Sequence, residues 1–398
     1  MTRQFSIPTV LRMVPNELLQ AFFIELGHGD FDPHWGDLKK WEIDPLLDYI
    51  GELPLDQSND IESVLRSVFD LGCPSGFDAL LEAGPHCDVP DLASLVPEGL
   101  CPYGLAMWAW LKCREVFDKA QTIYQVDQLS WWRKRNDLPK NAPDTSAEAK
   151  EKLEDAISSL LKSQGRGKDC TVETLTRGSV DYFFARPDDF VQNITRHNEH
   201  RRLTTEAIRQ TMLVVFAYDR DEGTLETFAK LPKPIKERLE VIFADAILHW
   251  ELGTHEPDAA YELNQLKDVA FKLNTDAEDR VRVRIHKMRL SAKHSGRRVH
   301  VEIDDDPDDN IHKAIAECIN LDEMPLSEWN VTQVTFCFEF LPHGDRKPGQ
   351  QSFDVTFPRS CSLRNARPER VELIQKYLKR WKIDRVGTTS PSPVTVGD

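Results

Sequence analysis

No stretch of this 398-residue chain approaches the roughly 18–20 consecutive apolar residues that a membrane span requires. The chain also lacks a CxxC pair, the phosphate-cradling GxxxxGK[ST], a GxGxxG after a strand, a GxSxG elbow and an HExxH helix. Each of those motifs serves a particular chemistry, so the common ATPase, dehydrogenase, hydrolase and zinc-protease classes lose their usual signatures. An enzyme assembled from distant ligands is not excluded. Met1 to Phe23 contain Pro8 and Pro15 and no small-residue cleavage site, so they do not read as a signal peptide and a cytoplasmic location is expected. Cys73, Cys87, Cys101, Cys113, Cys170, Cys318, Cys337 and Cys361 are scattered without zinc-site spacing and read as reduced core thiols.

What is present describes a globular protein. Hydrophobic residues make up 40% and charged residues 29% of the chain, with 9 Trp and 19 Phe, and this length fits two domains. The formal charge of −16 is uneven: residues 1–165 carry 15 Lys/Arg against 27 Asp/Glu, whereas 166–398 carry 35 against 39. The first part should repel nucleic acid, and the second need not.

The first part reads as a string of amphipathic helices. Leu18, Leu19, Phe22, Phe23 and Leu26 recur at helical spacing between Pro15 and Gly27, and glycine commonly follows a helix end. Further helices are predicted at Asp60–Leu71, Pro102–Phe117 and Thr145–Leu161, the last opening with a Thr145/Glu148 capping box. After Gln164–Asp169, apolar and polar residues begin to alternate. Four hairpins are predicted, pairing Cys170–Thr176 with Val180–Ala185, Met212–Tyr218 with Thr224–Ala229, Val281–Ile285 with Val299–Ile303, and Val334–Phe340 with Phe353–Phe357. Helices at Pro234–Leu252, Ile311–Ile319 and Pro368–Ile383 interrupt them. The expected fold is α+β: an acidic helical domain over 1–165, an antiparallel domain over 166–385 with about eight strands and three helices, and a disordered tail over 386–398. The alternation of hairpins and helices admits an internal duplication, although the intervals are unequal.

The strongest local feature is a basic block holding Arg280, Arg282, Arg284, Lys287, Arg289, Lys293, Arg297 and Arg298 with no acidic residue among them. Strand alternation would line up Arg280, Arg282 and Arg284 on one face and turn Val281, Val283 and Ile285 to the core. Such a row suits phosphates, which guanidinium groups grip bidentately. A phase break between Ile285 and Met288 signals a bulge. The plainer reading is mutual neutralisation, because a turn near His294–Gly296 sets Arg282 and Arg284 roughly opposite Asp306 and Asp304. A second basic cluster, with Lys376, Lys379 and Arg380, accompanies the last helix, whose dipole favours cations at its end.

Two acidic or histidine-bearing segments are candidate metal ligands. Glu302, Asp304 and Asp306 share one strand face and suit Mg²⁺; His28, Asp30, Asp32 and His34 alternate along a loop and suit Zn²⁺ or Mn²⁺. A solvated acidic loop and an ordinary turn explain the same residues. No motif implies a cofactor. The expectation is a non-catalytic binding or regulatory protein: its α+β half contacts nucleic acid or an acidic partner, and its helical half docks a protein partner. The alternative is a metal-dependent phosphodiester hydrolase.

Overall fold

The computed structural model describes residues 4–198, 202–252, 260–304, 309–344, 346, 348–363 and 368–385. The expected tail 386–398 and the candidate ligand Asp306 lie outside the described residues. Two compact units divide the chain, Met1–Gln128 with Thr195–Thr204, and Leu129–Ile194 with Thr205–Asp398. The division falls at Gln128 rather than near residue 165.

The first unit is helical: α1 (Ile7–Met13), α2 (Asn16–Glu25), α3 (Asp44–Glu52), α4 (Leu55–Leu71), α5 (Pro74–Ala83), α6 (Leu92–Leu95), α7 (Pro102–Lys112) and α8 (Arg114–Asp127). Proline at the first turn of α1, α3, α5 and α7 starts these helices where its missing N–H costs nothing. α2 buries Leu19, Phe22 and Phe23, and α4 buries Ile61, Leu65, Val68, Phe69 and Leu71 along one stripe. The single helix predicted over 102–117 is broken at Cys113, whose φ of −139° and ψ of 58° interrupt the helical ladder.

The second unit contains one ten-stranded sheet. Its elements are β1 (Trp132–Arg135), α9 (Ala147–Lys162), β2 (Val172–Arg177), β3 (Val180–Ala185), β6 (Val214–Asp219), β7 (Thr224–Ala229), α10 (Lys233–Ile247), β8 (Val281–Ala292), β9 (Arg298–Glu302), α11 (Ile311–Cys318), β10 (Trp329–Phe340), β11 (Gly349–Thr356), β12 (Ser360–Cys361) and α12 (Pro368–Arg380). A separate two-stranded ribbon, β4 (Asp188–His197) with β5 (Leu203–Thr211), is inserted between β3 and β6. Strand order is β2-β3-β6-β7-β1-β12-β11-β10-β8-β9, and the paired neighbours are antiparallel. Three of the four predicted hairpins form; in the third, β9 pairs with Lys287–Ser291, the later part of a longer β8, whereas Val281–Ile285 pair with Phe336–Phe340 of β10. The α+β class holds, with β1, β12 and the β4–β5 ribbon added to the predicted strands.

α9 packs Ala149, Leu153, Ile157, Leu160 and Leu161 against β2, β3, β6 and β7, which is why the stretch after residue 128 belongs with the sheet. Its N-cap is Ser146, whose hydroxyl accepts from Ala149 N, rather than the expected Thr145. The two ends of the sheet differ in topology. At one end the order follows the chain, β2-β3-β6-β7, whereas at the other β8 lies between β9 and β10, so the strand orders do not repeat as a simple duplication would.

Antiparallel partners share a face, and the registers therefore trace one continuous row across all ten strands: Thr174, Phe183, Phe216, Thr227, Arg133, Ser360, Thr356, Gln333, Arg289 and His300. At the β2–β7 end this face is covered by α9 and α10, whose Phe243 lies 5.1 Å from Phe183 and 4.8 Å from Phe216. At the β8–β11 end the covered face is the opposite one. There Met288, Val334, Phe336, Phe353 and Val355 pack with Ile374, Tyr377 and Leu378 of α12. The helical layer thus changes sides along the sheet, and β1 stands near the changeover.

Candidate functional site

β1 reads Trp-Arg-Lys-Arg and every one of its side chains finds a partner layer. On the α10 side, Arg133 Nε donates to Glu240 Oε1 at 2.5 Å and Arg133 Nη2 to Glu237 at 3.1 Å. Arg135 Nη1 lies 3.4 Å from Glu240 Oε2, and its other donors reach Asp137 at 2.8 and 2.5 Å. On the α12 side, Lys134 Nζ donates to both oxygens of Asp384 at 2.9 Å. Glu237, Glu240 and Phe243 recur at three-residue spacing along α10, so one helix stripe meets the aromatic half of the row and then its first arginine. Burial raises the Glu240 carboxyl despite Arg133 and Arg135 beside it. The buried Arg359 guanidinium adjoins the cluster; burial first, then Arg133, holds its pKa down to about 10.

Beyond β12 the same face opens to solvent and becomes polar. Thr356, Gln333, Thr335 and Asp354 hydrogen-bond or stand side by side, with Gln333 Nε2 donating to Asp354 at 3.0 Å and Thr335 at 2.5 Å from it. Lys287, Arg289, Arg298 and His300 then carry the face to the sheet edge, where Arg289 stands opposite His300, Lys287 opposite Glu302 and Arg298 opposite Ser291.

The basic block is split by this geometry. Arg280 is not part of the strand: it adopts a left-handed φ of 50° and ends a short 3-10 turn before β8. Arg282 lies opposite Glu339 of β10 and forms a 3.9 Å ion pair with it. Among the described residues, the carboxylate at ion-pair distance from Arg282 is thus on β10. Arg284 is half-buried beside a cleft of about 340 Å³ that is floored by Leu266, Ile285, Ile303 and Ile311. The predicted bulge exists: Thr335 faces Lys287 while Phe336 faces Ile285, which leaves His286 as the extra residue. Lys287 is bound to Glu302 at 2.9 Å. Arg289 donates to Thr332 Oγ1 at 2.9 Å, and burial followed by nearby Arg298 lowers its pKa. Lys293, Arg297 and Arg298 are exposed at the hairpin tip with no carboxylate at ion-pair distance among the described residues.

The cations of α12 are already engaged. Arg380 grips Asp276 through two bonds of 2.7 and 2.8 Å, Lys376 reaches Asp279 at 2.7 Å and Asp276 at 3.0 Å, and Lys379 pairs with Glu222. Hydrogen bonds from Arg380 and Lys376 hold the Asp276 carboxyl well below the ordinary range.

The candidate metal ligands are occupied by other partners or stand apart. Glu302 accepts from Lys287 and lies 3.4 Å from His286, and the Lys287 contact lowers its pKa. Asp304 is exposed. His28 Nδ1 meets Tyr49 Oη at 2.9 Å, while Asp32 caps its own loop through His34 N at 2.8 Å and Trp35 N at 3.4 Å. Phe31 stacks on Tyr49 at 3.8 Å, so aromatic packing shapes this loop. Among the described residues, no three His, Cys, Asp or Glu side chains gather as a metal site. All eight cysteines are free; Cys337 is buried, Cys318 is exposed and the rest are half-buried, so core burial holds for Cys337 rather than for the set.

Sequence reasoning passed over Arg133, Arg135, Thr227 and Glu240, and grouped Arg359 with the cations of the last helix. The available signal was three cations in the four residues of Trp132–Arg135. No helix among the described residues is long and apolar enough to cross a membrane. Compared with known protein families, curated proteins and solved structures, the chain matches none.

Proposed function

We propose that this is a binding protein that holds the phosphate backbone of a nucleic acid on the open face at the β8–β9 end of its sheet. The observation that carries the reading is the exposed trio Lys293, Arg297 and Arg298, which continues the polar face beyond Arg289 and meets no carboxylate among the described residues. The outward side chains of β8–β11 include no Phe, Tyr or Trp; Phe336, Phe338, Phe340 and Phe353 all turn into the core. Without a stacking platform the face rewards phosphates rather than bases, which favours sequence-independent contact with a duplex.

The helical unit has the opposite character. Residues 1–128 carry 8 Lys/Arg against 21 Asp/Glu, a balance that repels nucleic acid and supports docking of a protein partner. Trp41 and Leu95, at 70% and 57% exposure, supply apolar area for such a contact. The hydrolase reading has less support, because Glu302 and His28 are held by Lys287 and Tyr49.

Fluorescence anisotropy on a labelled duplex tests the proposal. Three phosphate contacts give a log–log salt slope of about −2.7, so affinity should fall about 40-fold between 50 and 200 mM salt. Joint Lys293→Glu, Arg297→Glu and Arg298→Glu changes should abolish binding. Absence of binding at 50 mM salt, or binding unaltered by the triple change, refutes the proposal. Equal affinity for poly-glutamate reassigns the face to an acidic protein partner.

A further inference from the structure

The ten-stranded sheet has two edges, β2 and β9. An open edge presents unpaired N–H and C=O groups, and proteins commonly cap, bend or break it. The β2 edge is capped, because Glu154 of α9 accepts the Val172 N–H at 2.6 Å. β9 reads Arg-Val-His-Val-Glu and has neither a proline nor a bulge in its register with β8. Just beyond its two ends, Ile303 N donates to His286 O and Arg297 O accepts from Ala292 N. Main-chain groups alternate sides along a strand, so Val299 and Val301 turn theirs toward β8, whereas Arg298, His300 and Glu302 turn theirs outward. Those three residues are exposed, and among the described residues none has a main-chain hydrogen-bond partner on the outer side.

We infer that β9 pairs antiparallel with β9 of a second copy of this chain, which joins the two sheets into one. The charge pattern of the strand suits this partner. Arg298 and Glu302 stand at equal distances on either side of His300, so a two-fold axis through His300 sets each Arg298 opposite Glu302 of the other copy, in two opposite-charge pairs. The same register brings the outward residues together as hydrogen-bonded pairs and forms about six main-chain bonds between the copies. On the other face Val299 meets Val301, and both already pack into the core beneath β8. Glu302 accepts from Lys287 through one oxygen at 2.9 Å, and a carboxylate has capacity for further donors. Arg298 has five donors, so this contact leaves others for phosphate. An axis normal to the sheet keeps the open polar faces of both copies on one side. Because Glu154 caps the β2 edge, association closes at two copies instead of growing into a fibre.

The test is sedimentation of the full chain in the analytical ultracentrifuge, without nucleic acid. A strand-to-strand contact belongs to the small, transient class of interface, so monomer and dimer should exchange over about 1–200 µM chain. His300→Pro removes an outward N–H from each copy and spares the β8 ladder, and it should give a monomer with the parent's circular dichroism. Arg298→Glu makes both cross-copy pairs acidic and Glu302→Arg makes both basic; each should weaken association about tenfold or more. Mixed in equal amounts, these two variants restore opposite charges at both positions and should form a heterodimer. That rescue also serves if the proline variant fails to fold. The Lys293→Glu, Arg297→Glu protein, altered outside β9, should still dimerise, which separates this contact from the nucleic-acid face. A single species at the chain mass throughout the range overturns the inference. So does His300→Pro associating as the parent does, or a mixture of the two charge variants that stays monomeric.

Discussion

Replacing Glu240 by alanine should be among the most damaging single changes in the sheet unit. The carboxylate is fully buried and bridges Arg133 Nε at 2.5 Å and Arg135 Nη1 at 3.4 Å. Its removal leaves both guanidinium groups beside Arg359 with only Glu237 and Asp137 as counter-charges. Breaking a buried ion pair by deleting one partner costs about 3–5 kcal/mol, because the other charge stays desolvated and unpaired. In a unit of this size each kcal/mol moves Tm by about 2–4 °C, so the expected loss is about 6–20 °C. Glu240→Gln keeps the shape and an acceptor but not the charge, and should cost about 1.5–3 kcal/mol. Adding Arg133→Ala to Glu240→Ala should recover part of the loss, since it removes one of the stranded cations. A chain with two units need not unfold in one step. The assay is therefore urea titration combined with hydrogen exchange at the β1 and β7 amides, which reports opening of this region itself. A loss below about 1 kcal/mol for Glu240→Ala, or strict additivity in the double variant, refutes the reasoning from buried charge.

Two further outcomes follow from the packing and the ion pairs. Phe243→Ala removes a fully buried ring that contacts Phe183 and Phe216 and should cost about 3–5 kcal/mol in chemical denaturation, with a smaller figure contradicting the assigned core. Asp276 is depressed by Arg380 and Lys376, and Asp279 is lowered as well. A depressed carboxylate stabilises the fold above its unfolded pKa, near 3.8 for Asp, and that contribution is lost as pH falls through the lower folded value. Acid titration by circular dichroism should therefore show stability declining below about pH 4, with Asp276→Asn flattening that limb. Glu240 is shifted the other way, so its protonation adds no acid-induced loss. An unchanged acid limb in Asp276→Asn would remove the α12 ion pairs as its origin.

The strands of the hairpins could be read from two signals: β10 and β11 largely alternate buried with more exposed side chains, which imprints a two-residue period, whereas β3, β6 and β7 are buried at nearly every residue and stand out as short apolar runs between turn residues. β1 has no such imprint. Both of its faces are buried, and its cations are balanced by Glu237, Glu240 and Asp384, more than 100 positions away in the chain. Charge looked like surface because its compensation was nonlocal. The same cause misdirected the reading of α12: Lys376 and Arg380 meet Asp276 and Asp279, and Lys379 meets Glu222, pairings that no local spacing reveals. The β4–β5 ribbon escaped notice because its side chains are mostly exposed on both faces, which leaves no alternation to detect. Within the basic block, the bulge was legible from the broken phase at Ile285–Met288. The partner of Arg282 was not, because the sequence shows the strand that follows and not the strand that lies alongside.

β1 emerges from the ribosome before any of the strands it will join. Its neighbours arrive late: β12 meets it across 228 residues at Ser360 and Trp132, and Asp384 meets Lys134 across 250. β7 can close one margin of this four-residue cationic segment, but the other waits without closure until β12 has been translated. Nascent chains of this protein thus pass through a long interval with a sticky unsealed border, and contacts so distant make completion of the sheet slow once release occurs. Cellular yield should depend on how well that interval is guarded as well as on the stability of the finished fold.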